Sequence, residues 1–250
     1  LIRHFQKKKY YKDFNYLNGI ELSKRVLIAY LYEPFINQDP NYINRHQNKW
    51  QALEIARIFN RLGYLVDIYQ YNEVKIEPKN YDQYDVLFGV DPNFVKYAQK
   101  VGKRTKKIYF ATTMHWSEIN SAEMKRLSDL EKRKGKRLKP IRLLEPIDIE
   151  KYSDAIITTG DERTAETYRR IERDVPIYRI RISSMQNENS VMYKNFKEAR
   201  KSFLWFGSRG LVLKGLDLLL DIFRERQDLE LYVCGRLRKD EGLHEIYRKE

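Results

Sequence analysis

The chain has 250 residues, 42% hydrophobic and 33% charged, which excludes a disordered polyelectrolyte and suits one or two packed domains. No apolar run approaches ~18 residues, so a transmembrane helix is excluded, and the single Cys234 excludes an internal disulfide framework and permits a reducing cytoplasm. The formal net charge of +13 suits an anionic partner without choosing among a phosphorylated small molecule, an acidic membrane face and nucleic acid.

Residues 1–24 are basic and rich in tyrosine, with Lys7-Lys8-Lys9 ahead of Tyr10-Tyr11, and are expected to form a loosely held terminus. The chain opens with Leu rather than Met, shows no signal-peptide pattern, and its true start is expected to lie upstream. Arg25–Tyr32 (RVLIAYLY) reads as the first buried strand. Glu33–Arg45, with Pro34 and Asp39-Pro40, reads as a polar loop. His46–Leu62 has helical spacing, with Trp50, Leu53, Ile55, Ala56 and Phe59 as its apolar side and Gly63 as its stop.

Tyr64–Tyr71 and Tyr84–Val90 are expected strands two and three. Asp91-Pro92 reads as an N-cap and first residue of a short helix to about Val101. Lys107–Thr112 is the fourth strand. Ser117 is the expected N-cap of a long helix, with Asn120 and Glu123 in its first turns. His115, between that strand and that helix, is placed to contact a substrate hydroxyl or move a proton, and equally to pack at a turn.

Lys132–Lys139 (KRKGKRLK) carries six basic residues, Lys132, Arg133, Lys134, Lys136, Arg137 and Lys139, and Arg142 extends the run. It suits an anionic membrane surface or a solvated helix end. Ser153–Thr158 is strand five. The turn after it, with Gly160, Asp161 and Thr164, is either a cleft element or a plain capped turn; Asp161 is the expected N-cap of a helix to about Glu172. Val175–Ile182 is the last strand of residues 25–182, and this alternation of strand and helix predicts an α/β, doubly wound, Rossmann-like parallel sheet. Residues 183–201 read as a linker, Ser183–Ser190, then a short helix, Val191–Lys201.

The remainder is dominated by Phe203–Gly235, FLWFGSRGLVLKGLDLLLDIFRERQDLELYVCG. Strand, glycine turn, helix and strand form a βαβ unit, in which ligands sit beyond the carboxyl ends of the strands. Gly207, Gly210 and Gly215 let main-chain N–H groups approach an anion, the helix adds its positive end, and Ser208, Arg209 and Lys214 add a hydroxyl and two charges. The same residues also suit an ordinary strand-to-helix turn. The spacing matches neither G-x-G-x-x-G nor a P-loop.

This loop, Gly207 to Asp217 entered from a strand, resembles the first βα loop of the nucleotide-binding domain of GT-B fold glycosyltransferases, and is most similar to family 4. The resemblance runs from about Arg25 onward. It implies an acceptor-side domain at residues 25–182 and the start of a nucleotide-sugar-binding domain at residues 202–250, whose acidic donor motif would lie beyond residue 250. It also implies that Lys214, with Arg209 or Ser208, contacts the donor diphosphate, and that the reaction retains anomeric configuration. A His in the N-terminal domain, as His115 is here, serves several members near the acceptor. The acceptor is expected to be a carbohydrate or a lipid-linked sugar. Relatives carry a Gly-Gly turn after the first strand; this chain does not.

The expected function is therefore glycosyl transfer from a nucleotide sugar. No cofactor is expected, the nucleotide sugar being substrate, and no metal, since no Asp-x-Asp pair stands out. The expected location is the cytoplasm, peripherally at the inner membrane face. A different Rossmann-type enzyme of phosphorylated sugars and a basic non-catalytic membrane- or nucleic-acid-binding module are the alternatives. Scattered charge and the lack of a binding motif disfavour nucleic acid.

Overall fold

The computed structural model describes residues 9–171, 174–184, 195–235 and 242–247. Its chain forms two compact units. One comprises residues 1–115 and 148–186; the other comprises residues 116–147 and 187–250.

The first unit is an α/β layer structure around a seven-stranded, mostly parallel sheet. Its strands are β1 (Tyr10–Phe14), β2 (Lys24–Tyr30), β3 (Tyr64–Gln70), β4 (Val86–Gly89), β5 (Lys106–Ala111), β6 (Ala155–Thr159) and β7 (Ile177–Ile180). Their order is β1-β3-β2-β4-β5-β6-β7, and every neighbouring pair is parallel except β1–β3. The central strands are apolar almost without alternation because both faces are covered. Val26, Ile28 and Tyr30 share a core with Val66, Ile68, Phe88 and Phe110. Helix α3 (Gln47–Arg61) closes that face with Ala52, Leu53, Ala56 and Phe59, whereas Trp50 is exposed. Helix α4 (Asn93–Ala98) sets Phe94 against the Tyr109 ring, 5.3 Å between centroids.

The N-terminal segment departs from the sequence expectation. Residues from Tyr10 are not a loose end but the edge strand β1, with Tyr10 stacked on Tyr69 at 5.2 Å. Two buried side chains hold it. Asp67 accepts the Asp13 N–H at 2.9 Å, and Asn60 accepts the Tyr16 N–H while donating to the Phe14 and Tyr64 carbonyls. Asp67 also accepts from the Tyr84 hydroxyl at 2.7 Å and pairs with Arg25 at 3.2 Å.

Three other local expectations are corrected. The stretch 33–45 holds two single-turn helices, α1 (Glu33–Ile36) and α2 (Pro40–Ile43), because each proline stands at a helix start, where no N–H is needed. Pro92, not Asp91, occupies the cap position of α4, and Asn93 instead donates its side-chain amide to the Gln70 and Glu73 carbonyls. Ser117 lies inside helix α5 (Trp116–Lys134), not before it. Helix α6 (Glu162–Arg169) begins as expected, with Asp161 accepting the Thr164 N–H. Of the expected linker, residues 185–190 lie outside the described residues, as do residues 191–194; α7 spans Phe196–Ala199.

The second unit contains α5, α7, the parallel pair β8 (Ser202–Phe206) and β9 (Glu230–Cys234), α8 (Leu216–Glu225) between them, and α9 (Leu243–Tyr247). Its core joins Leu130 of α5 to Trp205, Leu211, Val212, Leu216 and Leu243. On one face of the pair Trp205 is buried in this core and Leu231 and Val233 pack against it. The opposite one leaves Leu204 64%, Phe206 82% and Tyr232 56% exposed.

Candidate functional site

The glycine-rich turn of the second unit joins the carboxyl end of β8 to α8. The Gly207 N–H closes on the Cys234 carbonyl at 3.0 Å, so the turn starts where both parallel strands end. Gly210 (φ +88°) and Gly215 (φ +76°) are left-handed, a conformation that costs other residues strain. Between them the Lys214 N–H reaches the Gly210 carbonyl and the Leu216 N–H reaches the Leu211 carbonyl. Leu211 and Val212 anchor the turn in the core, and Trp205 Nε1 donates to the Lys214 carbonyl at 3.2 Å. This anchoring leaves Ser208, Arg209 and Lys214 exposed. Among the described residues, neither Arg209 nor Lys214 pairs with a carboxylate.

Below the turn lies a charge network. Asp217, in the first turn of α8, is fully buried; both its oxygens accept from Arg126 Nη2, at 2.8 and 3.1 Å, and Arg133 pairs with it as well. Asp221, one turn on, pairs with Arg133 and with Lys134 at 2.6 Å, and accepts from the Tyr247 hydroxyl at 2.9 Å. Partial burial works to raise the Asp221 pKa, but the hydrogen bonds from Lys134 and Tyr247 and the nearby cations win and hold it below the usual value. Lys136 pairs with Glu245 at 2.6 Å. Of the six-residue basic run, Arg133, Lys134 and Lys136 are therefore engaged within the unit.

In the first unit, His115 follows β5 and its surface is 1% exposed. Its N–H donates to Thr167 Oγ1 at 3.0 Å, and its imidazole meets the Tyr168 ring edge-on, 5.4 Å between centroids. Gly160 adopts φ +130°, where a Cβ would stand 2.9 Å from Thr164 Oγ1. Asp161 Oδ1 is taken up by the N–H and hydroxyl of Thr164, and the N–H bond is the main reason its pKa is lowered. Asp161 thus caps α6 locally.

Sequence reasoning missed a cavity in this unit. It has a volume of about 320 Å³ and lies where the chain switches direction across the sheet, between β2 and β4. Tyr30, Tyr71, Val90, Thr112 and Thr159 line it from the carboxyl ends of five strands, and His46, Asn48 and Gln51 line it from the start of α3. His46 Nδ1 accepts the Asn48 N–H, Gln51 donates to Ser183 Oγ at 2.8 Å, and Asn48 Oδ1 is buried with no partner. The lining holds no Asp, Glu, Lys or Arg, which suits hydroxyl groups better than phosphates. The one sequence signal was position: Tyr71, Val90, Thr112 and Thr159 stand at or just beyond the end of an expected strand, and Tyr30 stands two residues before such an end. On the far side of the sheet, Asp91 accepts from the Tyr109 hydroxyl at 2.6 Å, and burial raises its pKa.

Among the described residues, no group of three or more His, Cys, Asp or Glu could hold a metal ion, and no helix is long and apolar enough to cross a membrane. No protein-family model, curated protein or solved structure matches the chain.

Proposed function

We propose that the Gly207–Gly215 turn binds the diphosphate of a nucleotide-sugar donor, and that the protein transfers the sugar to a hydroxyl of a carbohydrate or lipid-linked acceptor. The observation that carries this reading is the turn itself: two left-handed glycines at the carboxyl end of a parallel strand pair, ahead of α8, with Arg209 and Lys214 exposed and without carboxylate partners among the described residues. The leaving group is a nucleoside diphosphate, so charge grows on its phosphates as the glycosidic bond breaks. Main-chain N–H groups, the helix end and two cations stabilise that charge without reorganising. The likeness of the loop to family 4 glycosyltransferases supports a GT-B architecture of two Rossmann-like domains and retention of configuration.

In this reading the first unit serves the acceptor, and the cavity near Tyr30 and Gln51 is the place for its hydroxyls. His115 is assigned no step, since its imidazole is closed off from solvent. Thermal unfolding with and without UDP and GDP tests the donor site. Ligand at ~100 times its dissociation constant adds about 2.7 kcal/mol. The midpoint is expected to rise for the wild type and to stay put for Arg209→Ala/Lys214→Ala. A wild type that ignores both nucleotides in calorimetric titration as well would reject the reading.

A further inference from the structure

We infer that Arg142 is a third cation of the diphosphate-binding turn, delivered to it from the segment that follows α5. The inference rests on the donor-site reading and adds a residue to it. Nothing in the sequence pointed there, since Arg142 reads only as the end of a basic run.

The segment is held in place by two side chains of α5. Glu123, 3% exposed, accepts the N–H of Ile141 at 2.7 Å and that of Arg142 at 2.9 and 3.0 Å. Asn120, three residues earlier on α5, takes both main-chain groups of Leu144 at 2.8 Å each. A buried carboxylate satisfied by main-chain N–H groups is a strong fixing device, because leaving either partner bare in a dry site costs more than the bond itself yields. Here it fixes the backbone from which Arg142 departs.

From that point the Arg142 side chain runs over Gly210. A Cβ at Gly210 would stand 2.6 Å from Arg142 Cδ and 3.6 Å from Nη1. Nη1 itself lies 3.5 Å from the Arg209 carbonyl oxygen. Gly210 thus favours this arrangement twice, through its left-handed backbone and through the room it leaves the arginine in this position.

Charge balance points the same way. Cations that α5 turns toward α8 are neutralised: Arg126 and Arg133 by Asp217, and Lys134 by Asp221. Those at the turn, Arg142, Arg209 and Lys214, have no carboxylate partner among the described residues. Three cations around one glycine turn suit an anion of two or more charges, and two of the three can grip its oxygens in bidentate fashion. The shared chemistry is a diphosphate, either within a nucleotide or free.

Arginine modification by phenylglyoxal, mapped by mass spectrometry on the wild-type chain, tests this with inorganic pyrophosphate, UDP or GDP as the probe. Joint protection of Arg209 and Arg142 is expected. Protection by UDP or GDP alone supports the site as a nucleotide site; protection by pyrophosphate as well supports a diphosphate grip that needs no base. Protection of Arg209 with Arg142 unaffected overturns the assignment of Arg142 and leaves the donor-site reading standing. Protection of neither by any probe overturns both. In calorimetric titration, Arg142→Gln is expected to weaken the protecting ligand at least about tenfold, with Arg142→Lys in between. An affinity equal to wild type for Arg142→Gln also overturns the assignment.

Discussion

Arg126 and Asp217 stand 91 residues apart in the chain, yet one guanidinium nitrogen of Arg126 reaches both carboxylate oxygens of the fully buried Asp217. That contact ties α5 to the first turn of α8, directly under the glycine turn. Removing the carboxylate leaves Arg126 and Arg133 without their shared partner. Asp217→Asn is expected to destabilise the second unit by about 3–5 kcal/mol, the usual cost of breaking a buried pair. Urea unfolding followed by amide exchange at α8 measures it. A change under about 1 kcal/mol would mean the pair is no stronger than a surface bridge.

Gly215 and Gly235 make a controlled comparison. Both have positive φ, but the space around them differs. A Cβ at Gly215 meets nothing within 4 Å, whereas one at Gly235 would overlap the Gly207 main chain. Gly215→Ala should cost only left-handed strain, about 1–2 kcal/mol. Gly235→Ala should cost more, because the obstacle is backbone at the end of β8 rather than a side chain that can turn away. Equal unfolding midpoints for the two variants would contradict the close approach of the strand ends.

The regular core of the fold was legible in the sequence, whereas β1, the cavity near Tyr30 and the path of Arg142 depend on residues far apart in the chain. The continuous apolar run Val26–Tyr30 and the alternating stretch Tyr64–Gln70 declare strands by themselves, and their observed bounds fall within a residue or two of the expected ones. β1 does not declare itself. YYKDF is half polar, and it becomes a strand only through pairing with β3 and through Asn60 and Asp67, which lie far along the chain. The glycine turn was readable because its chemistry is contiguous. The cavity near Tyr30 was not, since it gathers one residue from each of several strand ends, and Arg142 was not, since its direction is set by Glu123 through space.

Asn60 supplies the next test. Its amide satisfies three main-chain groups, the Tyr16 N–H and the Phe14 and Tyr64 carbonyls. Asn60→Ala leaves them bare, at about 1–3 kcal/mol for each buried group that water cannot reach. β1 is expected to release first, so amide exchange at residues 10–16 should accelerate well before β2 and β4 respond. Unaltered exchange at β1 would show that strand pairing alone secures the edge.

Acid should loosen the second unit through Asp221. Its folded-state pKa lies below the unfolded value, so its charged form is favoured by folding. The stability it contributes is complete above the unfolded pKa, about 4, and is lost as pH falls through the lower folded value. Thermal midpoints of the wild type should fall more steeply below pH 4 than those of Asp221→Asn. Parallel curves would remove Asp221 from the acid response.

The second unit is stitched from two stretches of chain, residues 116–147 and residues 187–250, with two strands of the first unit's sheet encoded between them. Order of synthesis then becomes a constraint. Helix α5 is made before Trp205, Val212 and Leu216, the residues that cover its Leu130, so that apolar side must wait for them while β6 and β7 are being added. Long-range closure of this kind is slow compared with local pairing. Pulse-labelled exchange during refolding should find β2 to β5 protected before α5. Simultaneous protection would instead make the helix part of the first nucleus.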